Sequence, residues 1–158
     1  MQIRIRETGA VVFDSEFRTY AQTQGAIFGT PLTEEFINQF GGDVVFEGPQ
    51  ASGGTVYQYS QAAGVEQVDG KWYTKYILGP VFTGDTAAAD EAAYKAMKDA
   101  EQATNVRNSR TEMLKDSDWT QIADSTADKA AWATYRQALR DVPTQAGFPW
   151  TVTWPDAP

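Results

Sequence analysis

The 158-residue chain contains no histidine and no cysteine. Thiol nucleophiles, Ser-His-Asp triads, imidazole or thiolate metal sites and disulfides are therefore excluded. Carboxylates are the remaining candidates for catalysis. Two close pairs stand out, Asp116 with Asp118 and Asp124 with Asp128. A pair of carboxyls suits glycoside hydrolysis, but one of them must be buried and held protonated. Nothing in the flanking sequence would bury one. The run D-S-D-W-T-Q has two carboxylates but lacks the glycine and terminal glutamate of a calcium loop. Asp118 is expected instead to cap the turn around Trp119 by accepting from backbone N–H groups. The loop G-P-Q-A-S-G-G at 48–54 is followed by a strand-like T-V-Y and no lysine at phosphate-loop spacing, so it reads as a turn. The chain reads as a non-enzyme with no cofactor and no metal.

Charge points the same way. The net charge is −8. Residues 1–84 carry 5 basic and 9 acidic side chains and residues 85–158 carry 8 and 12, so each part is −4. Neither offers the basic patch that nucleic acid requires. An acidic, evenly charged surface suits solubility and protein partners. No run approaches the roughly 20 apolar residues of a membrane span, and the charged start M-Q-I-R-I-R-E lacks a signal-peptide core. A site of action in the cytosol of the expressing cell is expected.

The elements that position these residues begin with strands. Ile3 and Ile5 alternate with Arg4 and Arg6, a strand with one buried face. A turn at 7–9 and a short strand at 10–13 complete a hairpin. Residues 14–24 fit a helix or a loop equally. Residues 30–42 read as a helix with Thr30 as cap, Pro31 at its first position, a stripe of Leu32, Phe36, Ile37 and Phe40, and Gly41 or Gly42 as the stop. Strands are expected at 43–47 and 56–60. The clearest hairpin runs from 65 to 78, turning on Asp69-Gly70, with Trp72 and Tyr76 on one face. These aromatics read as sheet core and cross-strand pairs, although the edge could receive a partner's strand.

Alanine density predicts a long helix over 86–114, capped by Asp85 or Thr86, with Asn105 and Asn108 marking a potential break. Its apolar residues are few and small. A second helix follows. Ala131, Trp132, Tyr135, Ala138 and Leu139 form one stripe. Ser125 with Asp128 signals its start and Pro143 its end. The fold class is α+β: a small β-rich domain at 1–84, a connecting helix at 85–115, and a C-terminal helical hairpin at 116–158 with an extended tail.

Four of the five tryptophans lie between 117 and 155. D-W-T-Q, then W-A-T-Y-R-Q-A-L-R-D-V-P, then F-P-W-T-V-T-W-P closely resembles the C-terminal signature of the phage tail assembly chaperones, which accompany the tail fibres of tailed bacteriophages. The resemblance covers roughly residues 105–158. One departure is S-T-A at 125–127, where the family commonly has a proline; this would lengthen the helix start. The resemblance implies a host-cytoplasmic protein that binds the C-terminal part of a trimeric tail fibre and assists its folding or trimerisation. The alternative is a permanent virion component that caps the fibre tip and contributes to receptor binding. The protein's own oligomeric state is left open.

The candidate partner-binding residues are Trp119, Trp132, Tyr135, Arg136, Arg140, Phe148, Trp150 and Trp154. Two readings stand side by side for the first five. In one, Trp119 and Trp132 pack inside a helical hairpin and Arg136 pairs with an aspartate. In the other they form an anchor surface of the Trp, Tyr and Arg type common at interfaces. The tail from 145 is apolar and terminal, so it is expected to be pinned, on its own helices or on a partner.

Overall fold

A computed structural model describes every residue except Phe28 and Thr30. It is mixed α and β, as expected, and forms two compact units, Met1–Val81 and Phe82–Pro158.

The first unit contains β1 (Gln2–Ile5), β2 (Val11–Phe13), α1 (Asp14–Thr23), α2 (Glu34–Gln39), β3 (Gly42–Phe46), β4 (Tyr59–Val68) and β5 (Lys71–Gly79). The strands form one sheet in the order β2-β1-β3-β5-β4. β3 and β5 pair in parallel and the other neighbours are antiparallel. The alternation of β1 sends Ile3 and Ile5 into a core with Phe17, Ala21, Phe36 and Ile37. Each fully buried Ile or Phe contributes about 1.5–3 kcal/mol. The opposite residue of β1, Arg4, lies over the Trp72 ring at 4.1 Å.

The ambiguous stretch after β2 is helical. Glu16 accepts from the backbone N–H of Phe13 at 2.9 Å, tying the helix start. Phe17 and Ala21, one turn apart, are fully buried. In α2 the cap differs from the sequence expectation. Thr33 accepts from the Phe36 N–H at 3.2 Å, so the helix begins at Glu34 and Pro31 precedes it. Thr30 lies outside the described residues. Leu32 still packs on the core. Gly41, at φ 75°, supplies the left-handed stop.

The expected strand at 56–60 is corrected. Val56 and Tyr57 form a turn, closed by the Gln58 N–H on the Thr55 carbonyl at 3.0 Å. β4 then runs unbroken from Tyr59, with a register shift between Ala62 and Val65 against β5. The hairpin turn is as expected: Asp69 and Gly70 both have positive φ, 48° and 79°, the geometry of a tight two-residue connection. The glycine-rich loop at 48–54 is irregular. Gly48 approaches β5 so closely that a Cβ there would lie 2.1 Å from the Thr74 carbonyl oxygen.

The second unit is helical. α3 (Ala87–Asp116) leads into a 3-10 turn (Asp118–Gln121), then α4 (Lys129–Asp141), a second 3-10 turn (Val142–Thr144) and the tail. At 1.5 Å per residue α3 is about 45 Å long. It passes through Asn105 and Asn108 without a break. Thr86 sits at its cap position but donates to Asp90 at 2.8 Å, accepting nothing from the helix. Ala103 and Val106 are its buried residues, and Tyr94 meets Phe82 with centroids 5.7 Å apart. α4 starts at Lys129, so S-T-A lies before the helix and does not lengthen it. The cap is Asp128, whose Oδ1 accepts from Ala130 and Ala131 at 3.0 and 3.1 Å. Ser125 accepts from the Ala127 N–H, before the helix. Leu139 and Val142 are fully buried.

Candidate partner-binding surface

The geometry of the C-terminal unit turns on Arg136. It sits on the inner side of α4 with its side chain 11% exposed. Its Nη1 donates to the Leu114 carbonyl at 2.7 Å and to Ser117 Oγ at 2.6 Å, and its Nη2 donates to Asp118 at 2.8 Å. The last carbonyls of a helix have no partner within the helix. Here a cation from the next helix supplies one, at the end where the dipole favours positive charge. Asp118 therefore does not cap the backbone around Trp119, as expected from sequence; it holds the far side of the guanidinium.

The same turn explains the other signature residues. Thr120 is buried and donates to the Ser117 carbonyl at 2.6 Å. Gln121 donates to Thr120 Oγ1. Leu139 and Val142 follow Arg136 at i+3 and i+6 and fill the interior. Lys129 reaches back from the first turn of α4 to the Ile122 carbonyl at 3.0 Å.

The tail is pinned to its own unit. Trp150 Nε1 donates to Asp99 on α3 at 2.5 Å. The Arg107 guanidinium lies 5.2 Å from the Phe148 ring centroid. Gln145 accepts from the Thr153 N–H at 2.7 Å and donates to the Thr153 carbonyl at 2.8 Å, closing the loop like one rung of a ladder. Phe148, Trp150 and Trp154 are all half-buried. Of the candidate residues, Phe148 and Trp150 are thus tied to α3 and Arg136 to the turn that follows it.

Trp119, Trp132 and Tyr135 form a different group. Trp119 stands edge-on to Trp132, centroids 5.8 Å apart at 65°, and Trp132 meets Tyr135 at 5.5 Å and 89°. Both arrangements belong to the favourable edge-to-face class. Trp132 and Tyr135 are half-buried, so the amphipathic spacing did place them against the unit's own interior. Trp119 is 54% exposed and Ile122, three residues on, is 55% exposed. Arg140 is exposed on α4. Arg136 pairs with an aspartate, as the packed-hairpin reading has it, and Trp119, at one end of the aromatic row, faces solvent. Sequence reasoning missed Ile122, which has no periodic signal of its own.

One carboxylate of each pair has a structural contact. Asp116, Asp118, Asp124 and Asp128 are all exposed; Asp118 holds Arg136 and Asp128 caps α4. Among the described residues no group of three acidic side chains could hold a metal ion, and no helix is long and apolar enough to cross a membrane. In the first unit a cleft of about 450 Å³ is bordered by Ser15, Arg18, Thr19, Gln22, Ile27 and Phe36, with no carboxylate among its described lining residues.

Residues 103–158, about a third of the chain, match the family model of the phage tail assembly chaperone protein. The match begins within α3 and takes in the Arg136 clamp, the aromatic row and the tail. No curated protein and no solved structure matches the chain.

Proposed function

We propose, from this match to the phage tail assembly chaperone family, that the protein is a tail fibre assembly chaperone. It acts by binding and not by catalysis, in the cytoplasm of the infected host. The family match supports a chaperone role in tail assembly; the trimeric fibre, and its C-terminal part as the segment bound, are the specific reading. The physical task is to cover apolar surface or open strand edges of the fibre until its chains trimerise, since such surfaces aggregate when left exposed.

The test is co-expression with the tail fibre protein of the same phage, followed by size-exclusion chromatography with mass detection. The expected result is a soluble trimeric fibre only when the chaperone is present. A fibre that is soluble and trimeric when expressed alone overturns the proposal. Mass spectrometry of purified particles separates a helper that leaves from a cap that stays at the fibre tip.

A further inference from the structure

We propose that the chain associates with a second copy of itself through the open edge of β4, the two strands pairing antiparallel about a two-fold axis that passes between Ala63 and Gly64. The proposal concerns the first unit and does not depend on the fibre reading.

β4 ends the sheet, with no strand beyond it among the described residues. The opposite edge, β2, is only three residues long, whereas β4 has ten. β4 lacks the Lys and Pro that commonly guard an edge. Its one charged residue, Glu66, is turned to Lys75 of β5 at 4.0 Å.

The hairpin decides which backbone groups are open. Across a two-residue connection the flanking residues, Val68 and Lys71, form a hydrogen-bonded pair, and the two classes of pair alternate from there. Gln67 and Val65, opposite Trp72 and Thr74, belong to the other class, so their N–H and C=O groups point away from β5. Thr74 agrees: its carbonyl oxygen is turned toward Gly48, just beyond β3, and away from β4. The register shift sets Ala63 and Gly64 together against Lys75. Past it, Ala62 and Ser60, opposite Tyr76 and Leu78, point outward again. No backbone bond of the described residues reaches these four from outside the hairpin.

The open residues are therefore Ser60, Ala62, Val65 and Gln67, at separations of two, three and two. That spacing reads the same in both directions. A copy turned end for end offers its Gln67 to Ser60 and its Val65 to Ala62, and receives the same in return. Each such pair can exchange two N–H···O bonds. The bulge lies on the axis and meets the bulge of the copy. A regular strand, lacking that irregularity, matches only one half of the edge at a time, so a second copy fits where an ordinary strand does not. The side chains agree. Tyr59 comes opposite Val68 of the copy, an aromatic on a β-branched residue, and both are about half exposed in the single chain. Gln61 comes opposite Glu66 of the copy, so no like charges meet. The register that matches Val65 with Gln67 instead sets Glu66 against Glu66 and leaves Ser60 and Ala62 unpaired.

The experiment measures the mass of the intact chain by size-exclusion chromatography with light scattering over a range of protein concentration. The expected result is a dimer that dissociates on dilution. Gln67→Pro removes an outward N–H and no bond to β5. It should leave the thermal midpoint near the wild-type value and weaken the dimer about thirtyfold, since two symmetric pairs are lost. Gln61→Glu should weaken the dimer about three- to tenfold by facing Glu66 twice, and Gln61→Lys should tighten it by a similar factor. The chain has no cysteine of its own. The double variant Tyr59→Cys with Val68→Cys should therefore give a covalent dimer on mild oxidation, while either single variant should not, because only the double variant brings two thiols opposite each other. A chain that is monomeric at every concentration overturns the proposal. So does a dimer indifferent to Gln67→Pro and Gln61→Glu, or one that the double variant does not cross-link. If added fibre protein, and not a second copy, slows amide hydrogen exchange at Val65 and Gln67, the edge receives a fibre strand and the proposal fails. The assembly role is decided separately, by whether the fibre trimerises.

Discussion

The Arg136 guanidinium donates to the Leu114 carbonyl at 2.7 Å across 22 residues of sequence, so the end of α3 is closed by a side chain of α4. The same guanidinium holds Ser117 and Asp118. The turn between the helices is thereby fixed from within the unit, and the tryptophan it carries is presented in one place. Hydrogen bonds to a charged group contribute about 1.5–3 kcal/mol each when buried. Arg136→Ala should destabilise the unit by about 2–4 kcal/mol, allowing for partial replacement by water. Arg136→Lys should recover less than half, because an ammonium cannot reproduce the fork. Asp118→Asn should cost under about 1 kcal/mol, since Asp118 is largely exposed. Urea unfolding followed by tryptophan fluorescence reads all three.

The helix cap gives a contrast between two nearby residues. Asp128 accepts from two backbone N–H groups of α4, and Ser125 accepts from one outside it. Asp128→Ala should cost about 1 kcal/mol, the usual value of a lost N-cap. Ser125→Ala should cost less than half as much on the same scale. The comparison is made by denaturant midpoint at neutral pH. Equal costs would show that Ser125 contributes as much as Asp128 to the start of α4.

The tail prediction concerns Trp150. Trp150→Phe keeps a ring but loses the bond to Asp99, and should cost about 1–2 kcal/mol. Trp150→Ala also removes the ring's packing and should cost about 3 kcal/mol. Limited proteolysis should then cut within residues 145–158 faster than in the wild type, because the Asp99 tie is gone. Unchanged cleavage would mean that Gln145 and Phe148 hold the tail without it.

Gly48 should not accept even one methyl group. A Cβ there would meet backbone, the Thr74 carbonyl oxygen, which cannot rotate aside. Gly48→Ala should destabilise the first unit by about 1–3 kcal/mol, as overpacking does. Its thermal unfolding midpoint is the measurement.

The last prediction is a pH dependence. Tyr76 donates its hydroxyl to Glu47, and this bond favours the neutral phenol, so Tyr76 ionises above the ordinary tyrosine range. A group whose pKa is raised on folding contributes stability below its unfolded pKa, about 10 for tyrosine. That contribution is lost as pH climbs through the higher folded value. Burial and Glu7 also push the Tyr20 phenol up, so ultraviolet titration near 295 nm should show late-titrating tyrosine absorbance from both, of which only the Tyr76 share moves earlier in Glu47→Gln. Absence of any shift would disprove the assignment.

Local signals in the sequence were strong where a single segment decided the outcome. The alternation of Ile3 and Ile5, the Asp69-Gly70 turn and the stripe through Trp132, Tyr135 and Leu139 each specify an element within about ten residues, since pleat and helix period act at that range. The signature from Asp118 to Pro155 was readable as a family pattern. Its physical sense lay elsewhere. Thr33 in place of a cap three residues earlier, and Asp128 in place of Ser125, were choices between adjacent hydrogen-bonding residues that local pattern ranks alike. The Arg136–Leu114 bond, the Trp150–Asp99 bond and the approach of Gly48 to Thr74 join residues 22, 51 and 26 positions apart. Such pairs depend on how the elements pack, because a side chain's partner is whatever the fold brings within 3 Å. For the same reason the sequence could list the aromatic and arginine residues of the C-terminal unit, while only the tertiary structure separated those turned inward from Trp119 and Arg140, which face solvent.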